Sequence, residues 1–162
     1  MNGFIRRRLP VPGVLSVAKG GLGGATAIAV VAGLGQISGN PLLMAPFGAT
    51  CVLLFSVPAS PLSQPVNVVG GHLVSTLIGL AVLTLLPVTW WSMALGVGLA
   101  IAAMAALRIT HPPAGADPLV VLAAAPGPGF VLFPTLAGSV LLVLVAALYH
   151  RIPPRTPYPL GD

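Results

Sequence analysis

Pro46-Phe-Gly-Ala-Thr-Cys-Val-Leu-Leu-Phe-Ser-Val57 and Pro113-Ala-Gly-Ala-Asp-Pro-Leu-Val-Val-Leu-Ala-Ala-Ala125 open alike, with P-x-G-A, and both run into proline-rich loops. They hold 12 and 13 residues, which is roughly 18–20 Å of helix, whereas crossing the hydrocarbon layer takes about 20 residues. Proline suits the first helical position, where an N–H would have no partner. Both stretches therefore read as half-helices. Ahead of them, residues 40–45 and 109–112 read as extended backbone, because proline drives its preceding residue out of the helical region. Non-helical backbone at membrane depth survives only inside protein or beside a watery cavity. A polar feature between helices is expected.

Around these two segments lie four long apolar stretches, residues 20–38, 66–86, 91–107 and 130–149, the third introduced by the Trp90–Trp91 pair. Of the 162 residues 56% are hydrophobic and 6% charged, with a mean hydropathy of +1.02. Soluble domains carry about 25% charged residues, and disordered chains are apolar-poor and charge-rich; both classes are excluded. The net charge of +5 does not imply a nucleic-acid partner, because the basic residues gather towards the ends: Arg6, Arg7, Arg8 and Lys19, then Arg151 and Arg155. That distribution marks cytoplasmic ends of a multi-pass protein of the cell (inner) membrane. The early Arg cluster resembles a signal peptide, but the rest of the chain is equally apolar, so the first segment reads as a membrane helix. Cys51 stands alone, so no disulfide or cysteine-based metal site is expected.

Shifting the chain by 67 residues puts Pro46 on Pro113, Gly48 on Gly115, Ala49 on Ala116 and Gly71 on Gly138. The expected fold is an all-α membrane protein in a single transmembrane domain, residues 1–162. It comprises four full transmembrane helices and two Pro/Gly-led half-helices, arranged as two internal repeats at about 20–86 and 91–150, with basic tails 1–19 and 151–162. Six crossings would make the repeats a 3+3 inverted pair; four crossings would make them parallel. Both place the termini on one side. Glycine pairs Gly20/Gly24 and Gly35/Gly39 have the spacing of close helix packing, against a neighbour in the same chain or in another subunit of a homo-oligomer.

Interrupted segments at matching positions of two halves mark transporter binding sites. Helix N-termini carry partial positive charge and bind anions. Phe47, Gly48, Ala49 and Thr50 in the first half, and Thr110, His111, Ala114, Gly115 and Ala116 in the second, are the candidate binding residues for a small anion. Asn67, His72, Arg108 and Asp117 are candidate pathway or proton-coupling groups, since ionisable residues within membrane segments are functional by default. Asp117 could pair with Arg108, bond N–H groups of its own half-helix, or be protonated. Thr110 or His111 could cap the second half-helix. No paired carboxylates, nucleophile elbow or Walker loop occur, so neither enzymatic catalysis nor a cofactor is expected. The partners are a small inorganic anion and the lipid bilayer. Two alternatives stand beside this reading: a non-transporting scaffold or assembly subunit, and a cation or metal carrier using His72, His111 and Asp117.

The run Thr110-His-Pro-Pro-Ala-Gly-Ala-Asp-Pro-Leu119, preceded by Ala45-Pro-Phe-Gly-Ala-Thr-Cys-Val-Leu-Leu-Phe55 and Gln64-Pro-Val-Asn-Val-Val-Gly-Gly-His-Leu73, resembles the HPP family of small integral membrane proteins. The family takes its name from the His111-Pro112-Pro113 motif. The resemblance covers about residues 15–150 and implies four transmembrane helices. Because members in cyanobacteria and plastids are associated with nitrite transport, it also implies nitrite as the leading substrate.

Overall fold

The structure, a computed structural model, describes residues 11–161; the Arg6–Arg8 cluster lies outside them. Among the described residues the chain is helical, without strands. In order come α1 (Val14–Ser38), α2 (Pro46–Ser56), a 3₁₀ turn (Pro61–Ser63), α3 (Pro65–Leu85) and α4 (Trp90–Ala106). A second 3₁₀ segment (Pro112–Ala116) leads into α5 (Asp117–Ala124). A third (Pro128–Val131) and a wide turn (Leu132–Leu136) precede α6 (Ala137–Tyr149). Three stretches are long and apolar enough to cross a membrane: Val14–Ser38, Pro65–Leu85 and Pro128–Tyr149. Leu22, Leu77 and Leu144 on them are 64%, 48% and 54% exposed, a surface suited to lipid rather than water.

Several boundaries correct the sequence expectation. α1 starts at Val14, not at residue 20, so Lys19 belongs to the helix and not to a tail. Its ammonium reaches the carbonyl oxygens of Ile152, at 2.8 Å, and Pro154, snorkelling along its aliphatic stem. α4 has 17 residues, about 25 Å of helix, the length expected for residues 91–107 moved by one. Thr89 and Ser92 form a reciprocal capping box that fixes its start at Trp90. The expected helix over 130–149 is broken at Phe133 (φ −132°, ψ 120°), because Pro134 excludes the helical region there, and α6 keeps 13 residues. The second short segment divides into a 3₁₀ piece and the eight-residue α5. Pro112, Pro113 and Pro118 each remove a backbone donor, so α-type bonding starts late.

The helices interlock across the midpoint of the chain. A Cβ placed on Gly20 would lie 3.3 Å from the Phe55 carbonyl oxygen, and one on Gly24 3.7 Å from the Cys51 Cβ. α2 therefore runs back along α1, and the Gly20/Gly24 face meets its own chain. Gly39 instead ends α1 in the left-handed conformation (φ 71°), the usual glycine stop. α3 packs on α4 and α5, while α6 packs on α1 and α2. Two of the tight approaches fall at matching positions of the halves and require glycine. A Cβ on Gly71 would fall 2.7 Å from the His111 Cβ and 3.2 Å from the Ile109 carbonyl oxygen, and one on Gly138 would strike the Leu42 carbonyl oxygen and the Phe47 ring. Gly71 and Gly138 are 67 residues apart, and so are Leu42 and Ile109.

The apolar core lies on the α1–α2–α6 side, with Ala27, Val31, Phe47, Leu54, Leu142 and Ala146 fully buried. At the end holding Lys19 and Tyr149, residues 151–161 fold back as a strap. Tyr158 Oη donates to the Ser63 carbonyl at 3.0 Å, and the Leu160 N–H donates to Gln64 Oε1 at 2.9 Å.

Candidate functional site

α3 carries the centre of the site. Its 21 residues place His72 about 10 Å, and Thr76 about 16 Å, from its start. Both side chains are fully buried, as are Thr50, Ser75, His111, Asp117 and Thr135. Buried polar groups of this kind persist only when hydrogen-bonded, and here they bond chiefly to one another. Thr50 Oγ1 lies 2.8 Å from His72 Nε2, 3.0 Å from His111 Nε2 and 3.3 Å from the Pro46 carbonyl oxygen. His72 Nδ1 lies 2.8 Å from Asp117 Oδ2. Thr76 donates to the same carboxylate oxygen at 3.4 Å and shares a 3.1 Å bond with the Thr135 hydroxyl. At the other end, His111 Nδ1 donates to the Leu62 carbonyl at 2.8 Å.

Local sequence explains how each group arrives there. Pro46 starts α2 and brings Thr50, one turn on, to the α3 side. The absent side chain of Gly71 admits His111 against α3, one residue before His72. Ser75 holds the 3₁₀ segment through the Ala114 carbonyl at 2.5 Å, and Asn67 holds its approach through the Thr110 carbonyl at 3.0 Å. Phe47, fully buried, sets its ring edge-on to His72 with centroids 5.1 Å apart. Asp117 Oδ1 is buried without a partner.

Of the residues singled out by sequence, the structure gathers Phe47, Thr50, His72, His111 and Asp117. Asn67 and Thr110 adjoin them, Thr110 through its carbonyl only. Neither Thr110 nor His111 caps the 3₁₀ segment with its side chain, because the His111 ring is already held between Thr50 and Leu62. Asp117 pairs with His72, while Arg108 is exposed in a left-handed conformation (φ 59°). Gly48 and Gly115 face open space. The first N–H groups of α2, on Phe47 and Gly48, donate to the Met44 and Ala45 carbonyls, so these helix-start donors are engaged. Ala114 likewise donates to His111. Among the described residues no cluster of three or more His, Cys, Asp or Glu side chains is arranged to hold a metal ion. Sequence reasoning missed Ser75, Thr76, Thr135 and the Leu62 carbonyl; the four-residue step from His72 to Thr76, one helix face, was the available signal.

Between the two short segments lies an open groove of about 670 Å³. Its lining falls into pairs, each 67 residues apart: Ala45 with Pro112, Pro46 with Pro113, Ala49 with Ala116, Val52 with Leu119 and Leu53 with Val120. Ala49 and Ala116 line it, while their successors Thr50 and Asp117, also 67 apart, belong to the polar cluster.

No solved structure matches the chain. It is 34% identical over 126 residues to one transmembrane protein of Dictyostelium discoideum, an alignment covering 73% of this chain and 40% of the other. With a second transmembrane protein of that organism it shares 32% identity over 127 residues, covering 74% of this chain and 45% of the other. The chain thus spans less than half the length of these relatives. Its match to the HPP transmembrane region runs over residues 10–159, so the chain belongs to the HPP family of transmembrane proteins.

Proposed function

We propose that the protein carries a small inorganic anion across the inner membrane, with nitrite as the first candidate because of what the family resemblance implies. The observation that carries this reading is a connected set of fully buried polar side chains on α2, α3, α5 and the turn before α6, in an otherwise apolar membrane chain. Such groups are costly in hydrocarbon and mark transport routes. The groove between the short segments adjoins that set through Ala49–Thr50 and Ala116–Asp117, and supplies a route beside it. The N–H groups of Phe47, Gly48 and Ala114 already have carbonyl partners, so in this reading the anion is met by the polar side chains beside the groove rather than by those donors.

The reading includes two inverted halves that meet at the groove, with six crossings and both ends cytoplasmic. Its support is the 67-residue pairing of the groove lining, the matching contacts Gly71–Ile109 and Gly138–Leu42, and the exchange of α3 and α6 between halves. Arg151 and Arg155 agree with that orientation. Purified protein in liposomes tests the proposal. Uptake of nitrite above protein-free vesicles, and above chloride, is expected; equal uptake with and without protein overturns it.

A further inference from the structure

We propose that Asp117, His72, Thr50 and His111 form a proton relay whose movable part is the Thr50 hydroxyl. The proposal deepens the transport reading and rests on it for its use, but the proton positions follow from the hydrogen bonds. Leu62 offers a carbonyl, which only accepts, so His111 carries a proton on Nδ1. A neutral His111 then has a bare Nε2, and Thr50 donates its single proton there. The Thr50 oxygen is left to accept, so His72 carries a proton on Nε2. Between His72 Nδ1 and Asp117 Oδ2, 2.8 Å apart, lies one more proton, shared by an imidazole–acid or an imidazolium–carboxylate pair of the same net charge.

The same heavy-atom positions hold a second proton count. When His111 also carries a proton on Nε2, the Thr50 hydroxyl turns to the Pro46 carbonyl at 3.3 Å and its oxygen accepts from both rings. Transfer along the chain breaks three bonds and forms three. The Asp117 carboxyl proton goes to His72 Nδ1, the His72 Nε2 proton to Thr50 Oγ1, and the Thr50 hydroxyl proton to His111 Nε2. Asp117 is left as the carboxylate and His111 as the imidazolium. The unpartnered Asp117 Oδ1 is free to accept the next proton, and His111 releases its Nδ1 proton to water at the partly exposed turn between α2 and α3, where the Leu62 carbonyl only orients the ring.

The titratable groups facing His72 are Asp117 from α5 and His111 from the segment before it. α2 presents Phe47 and Thr50, and the turn before α6 presents Thr135 through Thr76. Arg108 is exposed and, among the described residues, forms no ion pair. The relay reaches from one end of α3 to about its middle.

Two measurements on the full chain in lipid test the relay. Nitrogen NMR of ¹⁵N-histidine protein, assigned with His72→Gln and His111→Gln, is expected to show neutral His111 protonated on Nδ1 and His72 protonated on Nε2. A neutral His111 protonated on Nε2 overturns the assignment. Uptake of nitrite is then compared with and without an inward proton gradient. Thr50→Ser is expected to keep the acceleration by the gradient, whereas in Thr50→Val the ratio of uptake with the gradient to uptake without it falls to about one, whatever the substitution does to uptake itself. Equal acceleration in wild type and Thr50→Val overturns the relay while leaving anion transport standing. If wild type moves no nitrite, the transport reading fails, and the tautomers decide the relay.

Discussion

Thr50 and Asp117 are 67 residues apart in sequence and one imidazole apart in space: His72 Nε2 lies 2.8 Å from the hydroxyl and Nδ1 2.8 Å from the carboxylate. One ring thereby joins the two short segments through groups at matching positions. The pairing is chemically unequal, a hydroxyl facing a carboxylate, so the two sides of the ring differ in what they give and take.

The joint between α3 and the HPP segment depends on Gly71. Gly71→Ala would press its methyl group onto the His111 Cβ and the Ile109 carbonyl. Overpacking of this kind costs about 1–3 kcal/mol. The unfolding midpoint in detergent is expected to fall, whereas Gly48→Ala and Gly115→Ala, which meet open space, leave it within the usual scatter. A Gly71→Ala protein as stable as wild type would contradict the close approach.

The groove offers a test of equivalence. Ala49→Trp and Ala116→Trp each insert a large ring between the short segments, at positions that line the groove. Both are expected to reach the membrane folded and to suppress nitrite uptake to a similar extent. Undiminished uptake by both variants would remove the groove from the route.

Acid should weaken the strap end through His150. Its Nε2 donates to the Leu54 carbonyl at 2.8 Å, and burial, which disfavours the charged ring, holds its pKa below the ordinary value, with a lesser downward push from Lys19. The unfolded chain then binds the proton more readily, so this contribution is complete above about pH 6.5 and is lost as the pH falls through the depressed folded value. His150→Gln is expected to reduce the acid slope of the unfolding midpoint. An unchanged slope would show that His150 does not contribute to it.

Tyr158→Phe removes one hydrogen bond from the strap, worth about 0.5–1.5 kcal/mol, and leaves the Ser63 carbonyl short of a partner. Faster tryptic cleavage after Arg155, with uptake unchanged, is the expected result. Equal cleavage rates would mean the strap is held by its other contacts.

Much of this arrangement was legible from residue types alone. His72, His111 and Asp117 stand out in a chain with two acidic residues and three histidines, and the proline-opened segments announced where irregular backbone would lie. Thr76 and Thr135 were not legible in this way. A hydroxyl on a membrane helix reveals its partner only once helix phase and crossing are fixed. Arg108 is charged and next to the motif, yet the left-handed turn at that residue directs it outward. Pro134 did carry the signal of a broken helix, but the surrounding apolar run masked it. Lengths were the weakest inference in the proline-rich segments, since proline spacing, rather than hydropathy, decides where α5 and α6 begin.

The strap has a mechanical consequence. Lys19 in α1 is tied to Ile152 and Pro154, Tyr149 Oη to the Lys19 carbonyl, Tyr158 to Ser63 and Leu160 to Gln64. One end of the molecule is laced by bonds that span nearly the whole chain, whereas the opposite end holds the glycine stop at Gly39, the left-handed Ala125 and the break at Phe133. Stiffness is therefore unevenly distributed. For a transporter that works by rocking its halves, the laced end is expected to be the pivot and the other end to carry the amplitude.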